Sequence, residues 1–331
     1  MATLYLTEQG AVLRKTSRRL VVEKDGKVIT EVPEFKIDRV FVFGNIQITT
    51  QTIAFLLGNG IETSFFSVKG RLKGRLSPIE SKNVLLRIEQ YKKAQNEEFR
   101  LKLAKTIVEG KLKNGRTLLL RYSRSHPEVE LSKYVSEINR CLKSLVRKER
   151  ISTVVGVEGQ ASAAYFRAYG KMFRRELQFE QRTRRPPKDP INALLSLGYT
   201  MITNEIISVV SGVGFDPYVG FYHGIHYGRP SLALDIVEEF RHPIVDTLTL
   251  HLINNRVLTD SDFVEDEEGG YYLTDDARRK YFENYERKIS KEFKLHNKNV
   301  KVTFRKLFDA QAHNMEKVIM EGKPYKPFLM G

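Results

Sequence analysis

The chain changes its periodicity at Pro78. Up to Ser77 the apolar residues come in short alternating runs broken by turn residues. Residues 3–6 alternate and turn at Gln9-Gly10. Residues 19–23 and 28–31 flank Lys24-Asp25-Gly26-Lys27, whose Asp-Gly pair is a strong hairpin signal. Residues 40–43, 61–68 and 71–76 read as further strands, and 49–57 as a short helix stopped by Gly58-Asn59-Gly60. Beyond Pro78 the pattern is helical. Leu85, Ile88, Tyr91 and Lys92 fall at i, i+3, i+6 and i+7, with charge on the other faces of a helix expected over 79–105. Residues 101–113, 131–147 and 161–178 continue in that mode. Pro186-Pro187 and Asp189-Pro190 interrupt it, and 191–210 is a long apolar helix candidate. A glycine-rich stretch over 212–228 precedes helices over 231–252. Residues 260–273 suggest a small hairpin, and 280–296 and 302–321 further helices. The tail 323–331, with two prolines, reads as a loose arm. The pattern predicts an α+β protein: a small β-rich N-terminal domain over 1–77, then a larger, mainly α-helical domain over 78–331. A length of 331 residues suits two domains.

Composition narrows the function. Apolar runs such as 54–57 and 206–210 are far shorter than the ~18 residues that span a bilayer. The N-terminal MATLYLTEQG lacks the basic and apolar regions of a secretory signal. The expectation is a soluble, cytoplasmic protein with no membrane partner. Cys141 is the only cysteine, which excludes an intrachain disulfide framework and multi-cysteine zinc or iron–sulfur sites. Lys and Arg number 55 against 40 Asp and Glu, a net charge of +15. The excess is concentrated: residues 71–190 carry +16, whereas 191–331 carry −3. Such a block suits a polyanionic partner, nucleic acid first. A solvated helical face rich in Lys and Arg is the plainer alternative.

Common catalytic signatures are missing. There is no phosphate-binding Gly-x-x-x-x-Gly-Lys loop, no Gly-x-Ser-x-Gly elbow and no His-Glu-x-x-His motif, and Gly212-Val213-Gly214 runs into Phe-Asp-Pro. What stands out is a set of oxygen ligands and a histidine. In SLALDIVEEFRHPIVD, residues 231–246, Ser231 is placed to cap a helix. Asp235, Glu238 and Glu239 share one face of that helix, while Leu232, Ile236 and Phe240 form its buried stripe. Three neighbouring carboxylates need a cation or a basic side chain, unless they form an exposed acidic face. Just before them, GFYHGIHYGRP bends around His223 and His226, either of which could serve a shared ion or simply bond the loop backbone. In VVGVEGQASAAYF, Glu158 lies between Gly156 and Gly159 at the expected start of a helix of small residues. There it would be paired or metal-bound, or would offset the helix dipole.

Taken together and in this order, the Val-Glu-Gly glutamate, the glycine–aromatic–x–His loop and Ser-Leu-Ala-Leu-Asp-x-x-Glu-Glu-Phe-Arg resemble the CRISPR-associated integrase family, the universal adaptation nucleases of prokaryotic immunity. NALLSLGYTMI over 192–202 and GVGFDPYVGFYHG over 212–224 fit the same family. The resemblance runs from the N-terminal strands to about residue 310. Ser196, where the family often has Asn, and Tyr222, where an aliphatic residue is frequent, depart from it without touching a ligand position.

The resemblance implies that Glu158, His223 and Glu238 hold a divalent metal, with Asp235 a neighbouring acid that binds or orients it. Glu239 matches the motif but has no ligand role, and His226 has no counterpart among the ligands. Two carboxylates and an imidazole suit Mg²⁺ or Mn²⁺. The implied activity is DNA cleavage and joining of a DNA 3′-hydroxyl, so that captured fragments enter a CRISPR array. Arg167, Lys171, Arg174, Arg175, Arg182, Arg184 and Arg185 would bind backbone phosphate of double-stranded, possibly branched DNA. The resemblance also implies a homodimer built through the N-terminal domain and a complex with a small ferredoxin-like CRISPR adaptation subunit. The rival readings are a non-catalytic nucleic-acid scaffold and a stand-alone nuclease of branched DNA.

Overall fold

A computed structural model of the chain describes every residue except Met1, Ile79, Glu80, Lys82, Arg175, Glu176, Gln178 and 296–299. The expected helix start at Ile79, the expected helix end at His296 and the proposed phosphate contact Arg175 therefore lie outside the described residues. The fold is α+β, strand-rich at the N-terminus and helical thereafter. The chain divides into two compact units: Met1–Glu80 with Leu273–Glu286, and Ser81–Tyr272 with Arg287–Gly331.

In the first unit, β1 (Ala2–Leu6), β2 (Val12–Thr16), β3 (Arg19–Lys24), β4 (Lys27–Pro33), β5 (Ile37–Phe43), β6 (Gln47–Ile48), α1 (Thr50–Gly58), β7 (Glu62–Phe66) and β8 (Leu72–Leu76) follow in order. They form two four-stranded sheets, β1-β5-β7-β8 and β4-β3-β2-β6. Asp25 and Gly26 both take positive φ, at 50° and 74°, in the turn that joins β3 to antiparallel β4. The central β5 runs parallel to β1 and β7 and is apolar on both faces, as a strand covered on both sides must be. Its Val40 and Val42 join Leu6, Leu13, Leu20 and Leu56 in a core between the two sheets. Its Phe41 and Phe43 point the other way, into an aromatic layer with Tyr5 and Phe66. Phe282, from the distant segment 275–286, closes that layer by stacking at 4.7 Å on Tyr5 and lying 4.7 Å from Phe43. A division at residue 77 assigns this segment to the helical part; its contacts put it with the strands. Local sequence cannot register an aromatic partner more than two hundred residues away.

The second unit contains α2 (Val84–Gln95), α3 (Glu97–Ser125), α4 (Ser132–Leu145), α5 (Ile151–Gly170), α6 (Pro190–Val213), α7 (Ser231–Val237), α8 (Thr247–Asn254), β9 (Phe263–Glu265), β10 (Tyr271–Leu273), the last turn of α9 (Asp275–Ser290), β11 (Phe293–Lys294), β12 (Lys301–Val302) and α10 (Phe304–Glu321). Helix α5 starts at Ile151, so Glu158 lies within the helix and not at its N-terminus. Gly156 and Gly159 are accommodated inside α5 with open space where a Cβ would stand. The dipole explanation for Glu158 is thereby removed. Helix α6 is capped by Asp189 and ends at Gly214, whose φ of 115° suits glycine. By length and composition α6 could cross a membrane, contrary to the expectation from uninterrupted runs; most of it is buried inside the unit as a core helix. Its interrupting Glu205 is buried and paired with Arg305 at 3.0 Å.

The tail is not a loose arm. The Tyr325 hydroxyl donates to Glu239 Oε1 at 2.6 Å, and the Phe328 amide donates to Glu239 Oε2. Asn114 on α3 donates to the Phe328 carbonyl at 2.9 Å and accepts from the Met330 amide at 2.8 Å. Phe328 stacks on Phe240 with 5.6 Å between ring centres. Pro327 passes so close to Gly110 that a Cβ there would come within 2.6 Å of it.

Candidate active site

Three elements converge in the second unit. Helix α3 brings Lys111, α5 brings Glu158, and the turn that follows α7 brings Glu238. All three side chains are buried or nearly so. The Lys111 ammonium hydrogen-bonds Glu158 Oε1 and lies 2.7 Å from Glu238 Oε2. Ser162, one turn along α5, donates to the same Glu158 oxygen at 2.7 Å. Arg241 Nε reaches within 3.0 Å of Glu238 Oε2. That oxygen is in ion-pair range of two cations yet makes no aligned hydrogen bond.

His223 reaches the same place from the glycine-rich loop. Asp235 holds it there. One carboxylate oxygen accepts the Phe221 and Tyr222 amides at 2.7 and 3.0 Å; the other accepts the His223 amide and ring Nδ1, both at 2.8 Å. Donation of Nδ1–H to a carboxylate leaves Nε2 as the ring's acceptor. Nε2 lies 3.7 Å from Glu238 Oε1. Asp235 is therefore the orienting acid of the site. The loop is drawn tightly against α7: a Cβ on Gly220 would lie 2.6 Å from the Ser231 carbonyl carbon. Ser231 is not the helix cap. Pro230 precedes the helix, and the Ser231 hydroxyl donates instead to the Gly224 carbonyl at 2.8 Å, tying the loop.

Burial alone would raise the Glu238 pKa, but Arg241 and Lys111 outweigh it and hold the carboxyl well below the usual carboxylate range. Burial likewise opposes ionisation of Glu158, and Lys111 overcomes it. Lys111 in turn resists its own desolvation through Glu158 and Glu238, and its pKa is raised. The cluster is thus two carboxylates sharing one cation. Glu239 belongs elsewhere. Regular α7 ends at Val237, and Glu239 turns toward Gln311 and the tail, where burial lifts its pKa to about 7. The expectation of a shared acidic face fails for this reason, and so does the exposed-face alternative: Asp235, Glu238 and Glu239 are all buried.

Sequence reasoning missed the support behind Glu238. Residues Arg241–Asp246 form a π-helical turn. Inside it, the buried Asp246 carboxylate accepts from Tyr165 at 2.7 Å, Tyr199 at 2.6 Å and His242 Nδ1 at 2.7 Å. The ring of Tyr199 carries the Arg241 guanidinium at 4.6 Å. Asp246 thereby fixes the arginine that steadies Glu238. The proline and polar residues of RHPIVD mark this turn only weakly.

Carboxylate and imidazole donors suit a hard divalent cation: Glu158 and Glu238 meet at one point, where a cation already stands, and the His223 Nε2 lies 3.7 Å from the other oxygen of Glu238. That cation is the Lys111 ammonium. Among the described residues no three acidic or histidine side chains form a ready metal cage, so a metal ion can take this position only if Lys111 gives it up. Of the basic residues expected on phosphate, Arg174, Arg184 and Arg185 are exposed. Arg167 pairs with Glu137 at 2.8 Å. Arg182 is turned inward, donating to Asn192 at 2.7 Å and Ser196 at 3.0 Å.

A family model described as CRISPR associated protein Cas1 matches residues 4–287. The chain is 33% identical over 325 residues to the CRISPR-associated endonuclease Cas1 3 of Thermus thermophilus, covering 98% of this chain and 94% of that protein. Among solved structures, a Cas1 protein from Thermotoga maritima superposes with a TM-score of 0.83 at 26% identity, covering 100% of this chain and 99% of that one. A casposase bound to integration product shares the fold at a TM-score of 0.87 and 24% identity, covering 99% of this chain and 93% of that one. A strand-rich first unit followed by a helical second unit is the fold of a CRISPR-associated protein. The chain belongs to the CRISPR-associated Cas1 family.

Proposed function

We propose that this chain is a divalent-metal-dependent DNA endonuclease and integrase that joins the 3′-hydroxyl of captured DNA fragments to a CRISPR array. One observation carries the reading: Glu158 and Glu238 converge on a single buried cation position, beside an imidazole whose Nε2 is left as acceptor. Glu158, Glu238 and His223 would hold Mg²⁺ or Mn²⁺, which would supply Lewis acidity at a phosphodiester. The protein's part is positional. Asp235 fixes the His223 tautomer, Arg241 and Asp246 steady Glu238, and Ser162 holds Glu158. Exposed Arg174, Arg184 and Arg185 draw the duplex phosphates toward the second unit. The endonuclease name of the Thermus relative favours cleavage, and the casposase captured with its integration product favours strand transfer on this fold. A homodimer through the first unit and a small ferredoxin-like adaptation subunit complete the proposed assembly.

The test is a set of single substitutions, Glu158→Ala, His223→Ala and Glu238→Ala. Each abolishes Mn²⁺-dependent cleavage and joining while salt-sensitive DNA binding persists, because affinity comes from many Lys and Arg side chains and catalysis from one site. Full joining by Glu158→Ala or Glu238→Ala would reject the site. A loss of activity that only tracks lost stability would favour the scaffold reading.

A further inference from the structure

A cavity of about 540 Å³ opens in the second unit between the end of α9, the start of α10, the tail and α3. Its walls combine two chemistries. Phe293, Phe304 and Phe328 form an aromatic cluster, with ring centres 4.7 Å apart for Phe293 and Phe304 and 5.9 Å apart for Phe304 and Phe328. Phe293 and Phe328 are half-buried, so part of each ring faces the opening. Arg121, Lys288 and Lys291 line the same cavity. Lys288 is the anchor of this group: half-buried, with its ammonium 5.8 Å above the ring of Phe304. The charges that bear on it are those of Lys291 and Arg121, both cations. No carboxylate among the described residues pairs with these three bases.

Crowded cations that no carboxylate pairs with hold an unfavourable field, which an anion relieves. Burial, then Lys291 and Arg121, bring the Lys288 pKa down to about 8. An aromatic wall beside such a field matches a ligand with a flat ring at one end and a phosphate at the other. We propose that this cavity binds a nucleotide unit, its phosphate on Lys288, Lys291 and Arg121 and its base against Phe293 and Phe328. The site is separate from the acidic cluster. Arg121 follows Lys111 on α3 by ten residues, about 15 Å along the helix axis. It is nevertheless tied to that cluster, since Phe328 stacks on Phe240 and its amide holds Glu239, next in sequence to Glu238. The unit comes either from an unpaired stretch of DNA strand or from a free nucleotide. The first source rests on the DNA-joining reading above; the second does not.

Fluorescence anisotropy with three probes decides the matter: a labelled short oligothymidylate, the matched duplex, and a labelled deoxynucleoside monophosphate. The full chain is compared with Lys288→Met/Lys291→Met and with Phe293→Leu, and melting curves confirm folding. Lys291 is exposed, so Lys291→Glu alone serves if the double variant fails to fold. The expected result is a roughly tenfold loss of single-strand affinity in both the lysine and the phenylalanine variants, with less than about a twofold change for the duplex. A parallel loss of monophosphate binding assigns the free nucleotide as a ligand; a loss confined to the strand assigns the polymer. Equal losses on single strand and duplex, or no loss on any probe, overturn the site. Mn²⁺-dependent joining by the same preparations separates the two conclusions: intact joining with unchanged single-strand affinity removes this cavity alone.

Discussion

The Lys111 ammonium bridges Glu158 and Glu238 and, with Arg241 beside Glu238, offsets their repulsion in a largely buried site. Removing one partner of a buried charge cluster commonly costs about 3–5 kcal/mol, because the remaining charges stay uncompensated. Lys111→Met should therefore lower the melting temperature in EDTA, and Mn²⁺ should restore more stability to the variant than it adds to the wild type. Equal stability of the two proteins in EDTA would show that Lys111 is not the stabilising cation. The residue was illegible beforehand: one lysine among 55 basic residues, on a helix already rich in charge, shows nothing of its burial. Glu158, His223, Asp235 and Glu238 were legible as a set because their motifs are specific. Asp235's grip on three consecutive amides was not, since it depends on how the loop folds back. Lys288 offers a second test at this scale. Its folded pKa, about 8, lies below the ordinary value of 10.5. The unfolded chain then binds more protons between those values, so this group's contribution to stability rises with pH across that window. Relative to Lys288→Met, the wild type should gain melting temperature from about pH 8 to about pH 10; a constant difference would contradict the depressed pKa.

Elements report the limits of pattern more plainly. Helices with strong periodicity and clear caps, such as α6 between Asp189 and Gly214, could be placed to within a few residues. Those held by distant partners could not. Helix α5 runs through two glycines and packs against α3 and α4, and the residues of α9 are split between the two units. The tail is the sharpest case: two prolines suggest an arm, yet Tyr325 and Phe328 end on Glu239. This gives Glu239 a structural purpose. Glu239→Ala should destabilise the protein by about 1–3 kcal/mol, the usual cost of orphaning buried donors. Activity should fall only in proportion to stability, unlike the ligand substitutions. Ending the chain at Pro324 should produce the same loss of stability, measured by chemical unfolding. A Glu239→Ala protein as stable as wild type but inactive would move Glu239 into the catalytic set.

At the scale of the whole molecule, charge and self-association remain. The +16 carried by residues 71–190 predicts DNA affinity that falls steeply with salt, with log K changing by about 0.9 per phosphate neutralised. Arg174→Ala, Arg184→Ala and Arg185→Ala together should flatten that slope; Arg182→Ala should not, because its guanidinium is spent on Asn192 and Ser196. For self-association, deleting residues 1–77 would be a poor test, since it strips Phe282 of Tyr5 and Phe43 and exposes an aromatic surface of its own. The edge strand β4 gives a cleaner one. It borders its sheet on one side only, and Val28 and Ile29 on it are 59% and 51% exposed. The pairing with β3 skips Ile29, a bulge that interrupts the alternation, so the edge presents two exposed apolar side chains beside its unpaired backbone. Such an edge invites pairing with a second copy, and a lysine there is the natural deterrent. Val28→Lys/Ile29→Lys should leave folding intact, since neither side chain is in the core, and should shift the mass seen by light scattering from a dimer toward the 38.3 kDa of one chain. A dimer that survives both lysines would place the self-association surface away from β4.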